Sequence, residues 1–177
     1  MQICEMKKGD KFETEIGNFI VLDHDIDNGT TKVIQENFFA EDVEFSSSTC
    51  DYKKSDLKKL FDTCVEEAYK KIFGDAIVEH EVALKSVDMQ DYGTFKCFVR
   101  PITFDEAREF NDLLVKKDLP DWWWTCTPWS TKERGWPYSV TVVSPSGVIY
   151  WFSFDYCSGV RPVCILKSNL FVSKVEE

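Results

Sequence analysis

All six tryptophans of this chain fall between Asp121 and Val172. Large aromatic side chains bury more apolar area than any others. The core, and any surface used for binding, should therefore concentrate in this final third. Its pattern is β throughout: WWWTC reads as one strand, STKERGWP as a long exposed loop, and YSVTVV and GVIYWFSF as two strands joined at Ser144-Pro145-Ser146-Gly147, which has turn chemistry. Gly159-Val160-Arg161-Pro162 then leads into a last strand, VCIL. In GVIYWFSFDY, alternation puts Tyr150, Phe152, Phe154 and Tyr156 on one face and Ile149, Trp151, Ser153 and Asp155 on the other. Both faces carry large apolar groups. One must pack on the core; the other is either covered by a helix or left as an exposed aromatic patch that would mark an interface.

The preceding residues alternate between strands and helices. KFETEI, FIVLDHD and TTKVIQE predict three antiparallel strands, with Gly17-Asn18 and Asn28-Gly29 at the turns. Residues 40 to 52, AEDVEFSSSTCDY, read as a surface loop. From Ser55 an apolar stripe of Leu57, Leu60, Phe61, Cys64, Val65, Ala68 and Ile72 predicts an amphipathic helix ending at Gly74. Strands are expected over 77 to 84 and 96 to 102. A second, shorter helix follows, opened by the capping-box spacing of Thr103 and Glu106 and carrying Phe104, Ala107, Phe110 and Leu114 on one side. The sum is a single α+β domain: a hairpin region over 1–53, two helices with strands over 54–120, and the tryptophan-rich β region over 121–177.

Charge narrows the function. The chain carries 31 acids against 21 bases, a net charge of −10, and residues 1–100 alone hold 21 of the acids against 13 bases. Direct binding to nucleic acid draws its free energy from Lys and Arg displacing counterions, so this balance opposes it. An acidic surface is instead drawn to a basic protein surface, such as the groove in which a nuclease holds its substrate. Seven scattered cysteines without a CxxC pair read as free thiols in a reducing compartment. The opening residues lack the apolar core of a secretion signal, which points to the cytoplasm. No apolar run approaches the roughly 18 residues of a membrane span.

Chemistry is sparse. Asp23-His24-Asp25-Ile26-Asp27-Asn28-Gly29 imitates the start of a calcium loop, but its glycine falls one position late and Ile34 stands where a bidentate Glu belongs. Only His24 and His80 could serve a cysteine nucleophile, and no signature pairs either with Cys126. Glycine-rich phosphate loops, nucleophile elbows and HExxH are absent from the sequence. No cofactor or metal is expected.

The ending WWWTCTPWS, Gly147 and GVRP resembles a family of uncharacterised domains common in Firmicutes and their phages, whose ends read roughly WWLxTPxS, then VxxxG, then GVRP. The likeness extends from about Met6 to Ser173. It implies a lectin-like closing region akin to C-type lectins and formylglycine-generating enzymes, in which the arginine of the Gly-aliphatic-Arg segment is structural; Arg161 is expected to take that role by this resemblance, and Trp123 is expected to be structural as well. In lectin-like variable proteins of phages, the hairpin before this segment carries receptor contacts. The resemblance and the charge together suggest a non-enzymatic phage protein in the bacterial cytoplasm that blocks a defence nuclease, in the manner of a type II anti-CRISPR protein. Glu41, Asp42, Glu44, Trp129, Trp136, Tyr150, Trp151 and Asp155 are the expected partner contacts, with a CRISPR effector nuclease as the partner class. The alternative is a carbohydrate or receptor-binding module; the C-type lectin triplets Glu-Pro-Asn, Gln-Pro-Asp and Trp-Asn-Asp do not occur in the chain.

Overall fold

The dense apolar run Phe19-Ile20-Val21-Leu22 can be satisfied only if a strand is buried on both faces. The computed structural model, which describes residues 1–176, shows that arrangement. Strands β1 (Lys11–Thr14), β2 (Gly17–Asp25) and β3 (Thr30–Gln35) pair antiparallel. Gly29 takes φ 62° in the second turn, where the Asp25 carboxylate accepts hydrogen bonds from the backbone and side-chain amides of Asn28. The Asp23–Gly29 segment is thus a hairpin turn in which Asp25 is held by Asn28 and Asp23 by Lys8 at 2.5 Å.

β4 (Ala40–Glu44) corrects the expectation of a loop over 40 to 52. Its acids are compatible with a strand because it is an edge strand with a single neighbour, so Glu41, Asp42 and Glu44 stand in water while Val43 packs inward. β5 (His80–Lys85) and β6 (Asp91–Cys97) form a separate hairpin, and β7 (Val99–Arg100) leaves it for the first sheet. The single strand expected over 96 to 102 is therefore split between two sheets. The last third supplies β8 (Trp123–Pro128), β9 (Ser139–Val143), β10 (Ile149–Ser153), β11 (Cys157–Val160), β12 (Val163–Lys167) and β13 (Ser173–Lys174).

One sheet runs β13-β1-β2-β3-β12-β7 and the other β10-β9-β8-β11-β4. The tryptophan-rich region is consequently not self-contained: β12 is inserted beside β3, and β4 comes from the N-terminal half to close the second sheet.

The helical segments Asp56–Leu60, Phe61–Val65 and Glu66–Phe73 run end to end, capped by Ser55 and stopped at Gly74. Their buried residues are Leu57, Phe61, Val65, Tyr69 and Phe73, spaced strictly by four, whereas Cys64 of the expected stripe is exposed. In an α-helix a four-residue step overshoots a full turn by about 40°. The central π-turn, Phe61–Val65, widens the helix and lets this spacing stay on one side. That face joins Phe12, Phe19 and Val21 of the first sheet to Trp124, Cys126, Val140 and Val142 of the second. The opposite faces of β2 and β8 (Ile20, Leu22, Trp123) meet Ala107, Phe110 and Leu114 from the shorter helices Phe104–Glu109 and Asn111–Leu114.

Candidate functional site

Side-chain alternation on β10, the edge strand of the second sheet, decides what this surface looks like. Tyr150 and Phe152 lie on the side of Trp122 and Trp124, with ring centroids 6.2 Å (Trp122–Tyr150), 5.5 Å (Trp122–Phe152) and 6.4 Å (Trp124–Phe152) apart. Trp151 lies on the other side between Trp129 at 6.2 Å and Trp136 at 5.6 Å, both held by the exposed loop after β8. Tyr150 and Trp151 stack around the strand edge at 5.5 Å. The cover over Trp151 is therefore this loop and not a helix. Trp136 and Tyr150 are exposed, Trp129 and Trp151 half-buried, and exposed Tyr138 and Tyr156 extend the patch.

The acidic strand is at the far edge of the same sheet, yet the chain joins the two regions. After β10 the chain runs through Asp155 and Tyr156 to β11, with Ser46 donating to the Phe154 carbonyl at 3.0 Å, Tyr156 5.8 Å from Phe152, and Cys157 pairing directly with Glu44. Loss of water around the sulfur, and after it the nearby charges of Asp42 and Glu44, push the Cys157 thiol above its ordinary range. Among the described residues no base lies within ion-pair distance of Glu41, Asp42, Glu44 or Asp155. Their field is uncompensated locally. The structure thus brings together Tyr150, Asp155, Glu44 and Asp42 along one continuous stretch, with Trp129 and Trp136 on the other face of β10.

Trp123 and Arg161 are elsewhere: both are buried, with the guanidinium 5.1 Å from the indole. Arg161 donates through Nε to the Gln35 carbonyl at 2.9 Å and through a terminal nitrogen to the Leu114 carbonyl at 2.8 Å, so it ties β3 to the helical turn. Among the described residues no carboxylate pairs with it, and burial brings its pKa down to about 10.

A thiol does approach an imidazole, in a place the sequence did not indicate. Cys97 Sγ lies 3.7 Å from His80 Nε2. His80 Nδ1 must donate to the Val78 carbonyl at 3.1 Å, which leaves Nε2 as the acceptor for Arg100 Nε at 3.0 Å. Burial and the Arg100 charge hold the imidazole down to about 4, while burial pushes the thiol up to about 11. Both are neutral near pH 7, the reverse of the thiolate–imidazolium arrangement that makes a cysteine nucleophilic. Cys126 is fully buried, and its thiol is raised to about 12. Among the described residues no cluster of three or more His, Cys, Asp or Glu could hold a metal.

No family model, curated protein or solved structure matches this chain. Function must therefore be argued from the site itself.

The His80 environment makes a prediction about acid. The unfolded chain takes up a proton near pH 6.5 and the folded chain only near 4, so stability contributed by neutral His80 is present above 6.5 and declines as pH falls toward 4. Full burial would make this about 3 kcal/mol, and partial exposure of the ring reduces it to about 2 kcal/mol. Urea midpoints measured from pH 7.5 to 4 should fall in this window for the native chain and stay flatter for His80→Gln. Equal slopes would remove His80 as the cause.

Proposed function

We propose that this protein acts by binding another protein, not by catalysis, and that its partner presents a basic surface of the kind that holds nucleic acid. The observation that carries this reading is the run of unpaired carboxylates on β4 continuing through Asp155 into the exposed rings of Tyr156 and Tyr150. Aromatic anchors beside charge give an interface its affinity and its steering: rings bury large area at low conformational cost, and exposed acids raise the rate of encounter with a basic surface. The buried thiols and the neutral His80 support a non-enzymatic role.

The resemblance to phage domains makes a CRISPR effector nuclease the partner class to test, with the acidic strand occupying the channel that would otherwise receive DNA or guide RNA. A carbohydrate-binding role would use the same rings for stacking on sugar. The native protein should slow target cleavage by a type II effector nuclease, and Glu41→Lys/Asp42→Lys/Glu44→Lys should weaken binding at least about tenfold, an effect that shrinks as salt is raised. Unchanged cleavage together with no retention on the immobilised nuclease would defeat the reading. A glycan-array signal lost with Trp136→Ala would favour the sugar alternative.

A further inference from the structure

The two edges of the five-stranded sheet are built in opposite ways. An exposed edge strand carries unpaired backbone groups that invite another strand, and proteins usually block it with charge, proline or an irregular backbone. β4 has all but proline: three acids, Asp42 at φ 56°, and a register shift against β11. β10, Ile149-Tyr150-Trp151-Phe152-Ser153, has no charge, no proline and an unbroken register with β9.

Its hydrogen-bonding phase follows from two bonds beyond the strand ends. Ser144 donates to the Val148 carbonyl at 2.8 Å, and Phe154 donates to the Tyr138 carbonyl at 2.9 Å. In an antiparallel ladder alternate residues bond to the same neighbour. Positions 148, 150, 152 and 154 therefore point their backbone groups at β9, and Ile149, Trp151 and Ser153 point theirs at the open edge. Among the described residues only the Ser153 carbonyl has a partner there, the Tyr156 amide at 3.0 Å, and the stacked rings of Tyr150 and Trp151, which wrap this edge, must swing back to their own faces when a strand pairs.

We propose that β10 pairs antiparallel with β10 of a second copy of this chain, about a twofold axis at Trp151. The strand is its own complement in this register. Trp151 exchanges both backbone hydrogen bonds with its symmetry mate, Ile149 with Ser153 of the other copy, and on the opposite face Tyr150 sits across from Phe152 of the other copy. Such cross-strand aromatic pairs are among the favourable ones. The self-complementary register, not charge, favours a second copy; a chain of net charge −10 repels itself overall, and β10, which carries no acid, is a segment where two copies can meet without juxtaposing carboxylates. The two sheets would join into one, with the acidic β4 edges outermost at both ends.

Sedimentation equilibrium of the whole chain tests this over about 1 to 300 μM, the range in which a small interface dissociates. The weight-average mass should rise from 20.6 kDa toward twice that value. Ser153→Pro removes an outward N–H, and Tyr150→Lys places a cation across from Phe152 of the other copy. Each should raise the dissociation constant at least tenfold while the circular dichroism spectrum is kept. Glu41→Lys, at the other edge, should leave the mass unaltered. A mass fixed at 20.6 kDa across the range overturns the proposal, as does a dimer that survives Tyr150→Lys; that exposed site decides the matter should Ser153→Pro fail to fold. A monomeric outcome leaves the acidic-surface reading standing, because β4 takes no part in the pairing.

Discussion

Glu106→Ala should lower the free energy of unfolding by about 3–5 kcal/mol, the loss expected when one partner of a buried ion pair is removed and the other is left behind. The buried carboxylate faces two cations. Arg100 grips it through both terminal nitrogens at 2.6 and 3.0 Å, and Lys32 Nζ reaches it at 2.6 Å. It also accepts the Thr103 backbone N–H at 3.0 Å, completing the capping box of the helix Phe104–Glu109. Arg100 is 3 % exposed, so its charge cannot turn to water when the carboxylate is gone. The guanidinium and Lys32 hold the Glu106 pKa far below the usual carboxylate range. The contribution is therefore present above the ordinary glutamate pKa, near 4.5, and is lost as acid protonates the folded state. Arg100→Met/Glu106→Leu should recover part of the loss, because no unpaired charge remains on that pair. Urea denaturation of both variants measures it. A single-variant effect under about 1 kcal/mol would mean that water reaches Arg100 after all.

This network shows why some of the molecule was legible in the sequence and some was not. Local rules sufficed where one signal governed. The Asn28-Gly29 hairpin, the Ser55 and Thr103 caps, the alternation on β10 and the mixed helix-and-sheet class each follow from neighbours in the chain. Glu106 could be read as a capping residue but not as the counterion of Arg100, since the pairing depends on β7 joining the first sheet instead of continuing β6. Likewise β4 looked like a loop because edge strands lack the apolar alternation that marks a half-buried one. The helix stripe included Cys64 and omitted Tyr69 and Phe73 because a π-turn changes the period midway, and no residue type announces it. For the candidate site, the aromatic and acidic residues were recognisable by type. That Tyr156 and Asp155 link them depends on β11 lying beyond β8, a parallel neighbour that no hairpin rule would place there.

The same crossing yields the second large effect. Gly159→Ala should cost about 2–3 kcal/mol, although glycine is not needed there for its backbone freedom. Gly159 sits in β11 opposite Trp123 and donates to the Trp122 carbonyl at 2.8 Å, so the strand cannot move away without breaking the link between β8 and β11. An added Cβ would lie 2.1, 2.4 and 2.5 Å from three atoms of the Phe38 ring, far inside van der Waals contact. The ring must leave, surrendering its packing against the cluster of Ile20, Trp123 and Val163. If that is the mechanism, the energies will not add. Phe38→Ala alone should lose a similar amount, and Phe38→Ala/Gly159→Ala should be little worse than Phe38→Ala, a coupling of about 1–3 kcal/mol in the double-mutant cycle. Strictly additive losses would show instead that the methyl group strains the β8–β11 backbone itself, and that Phe38 is a bystander.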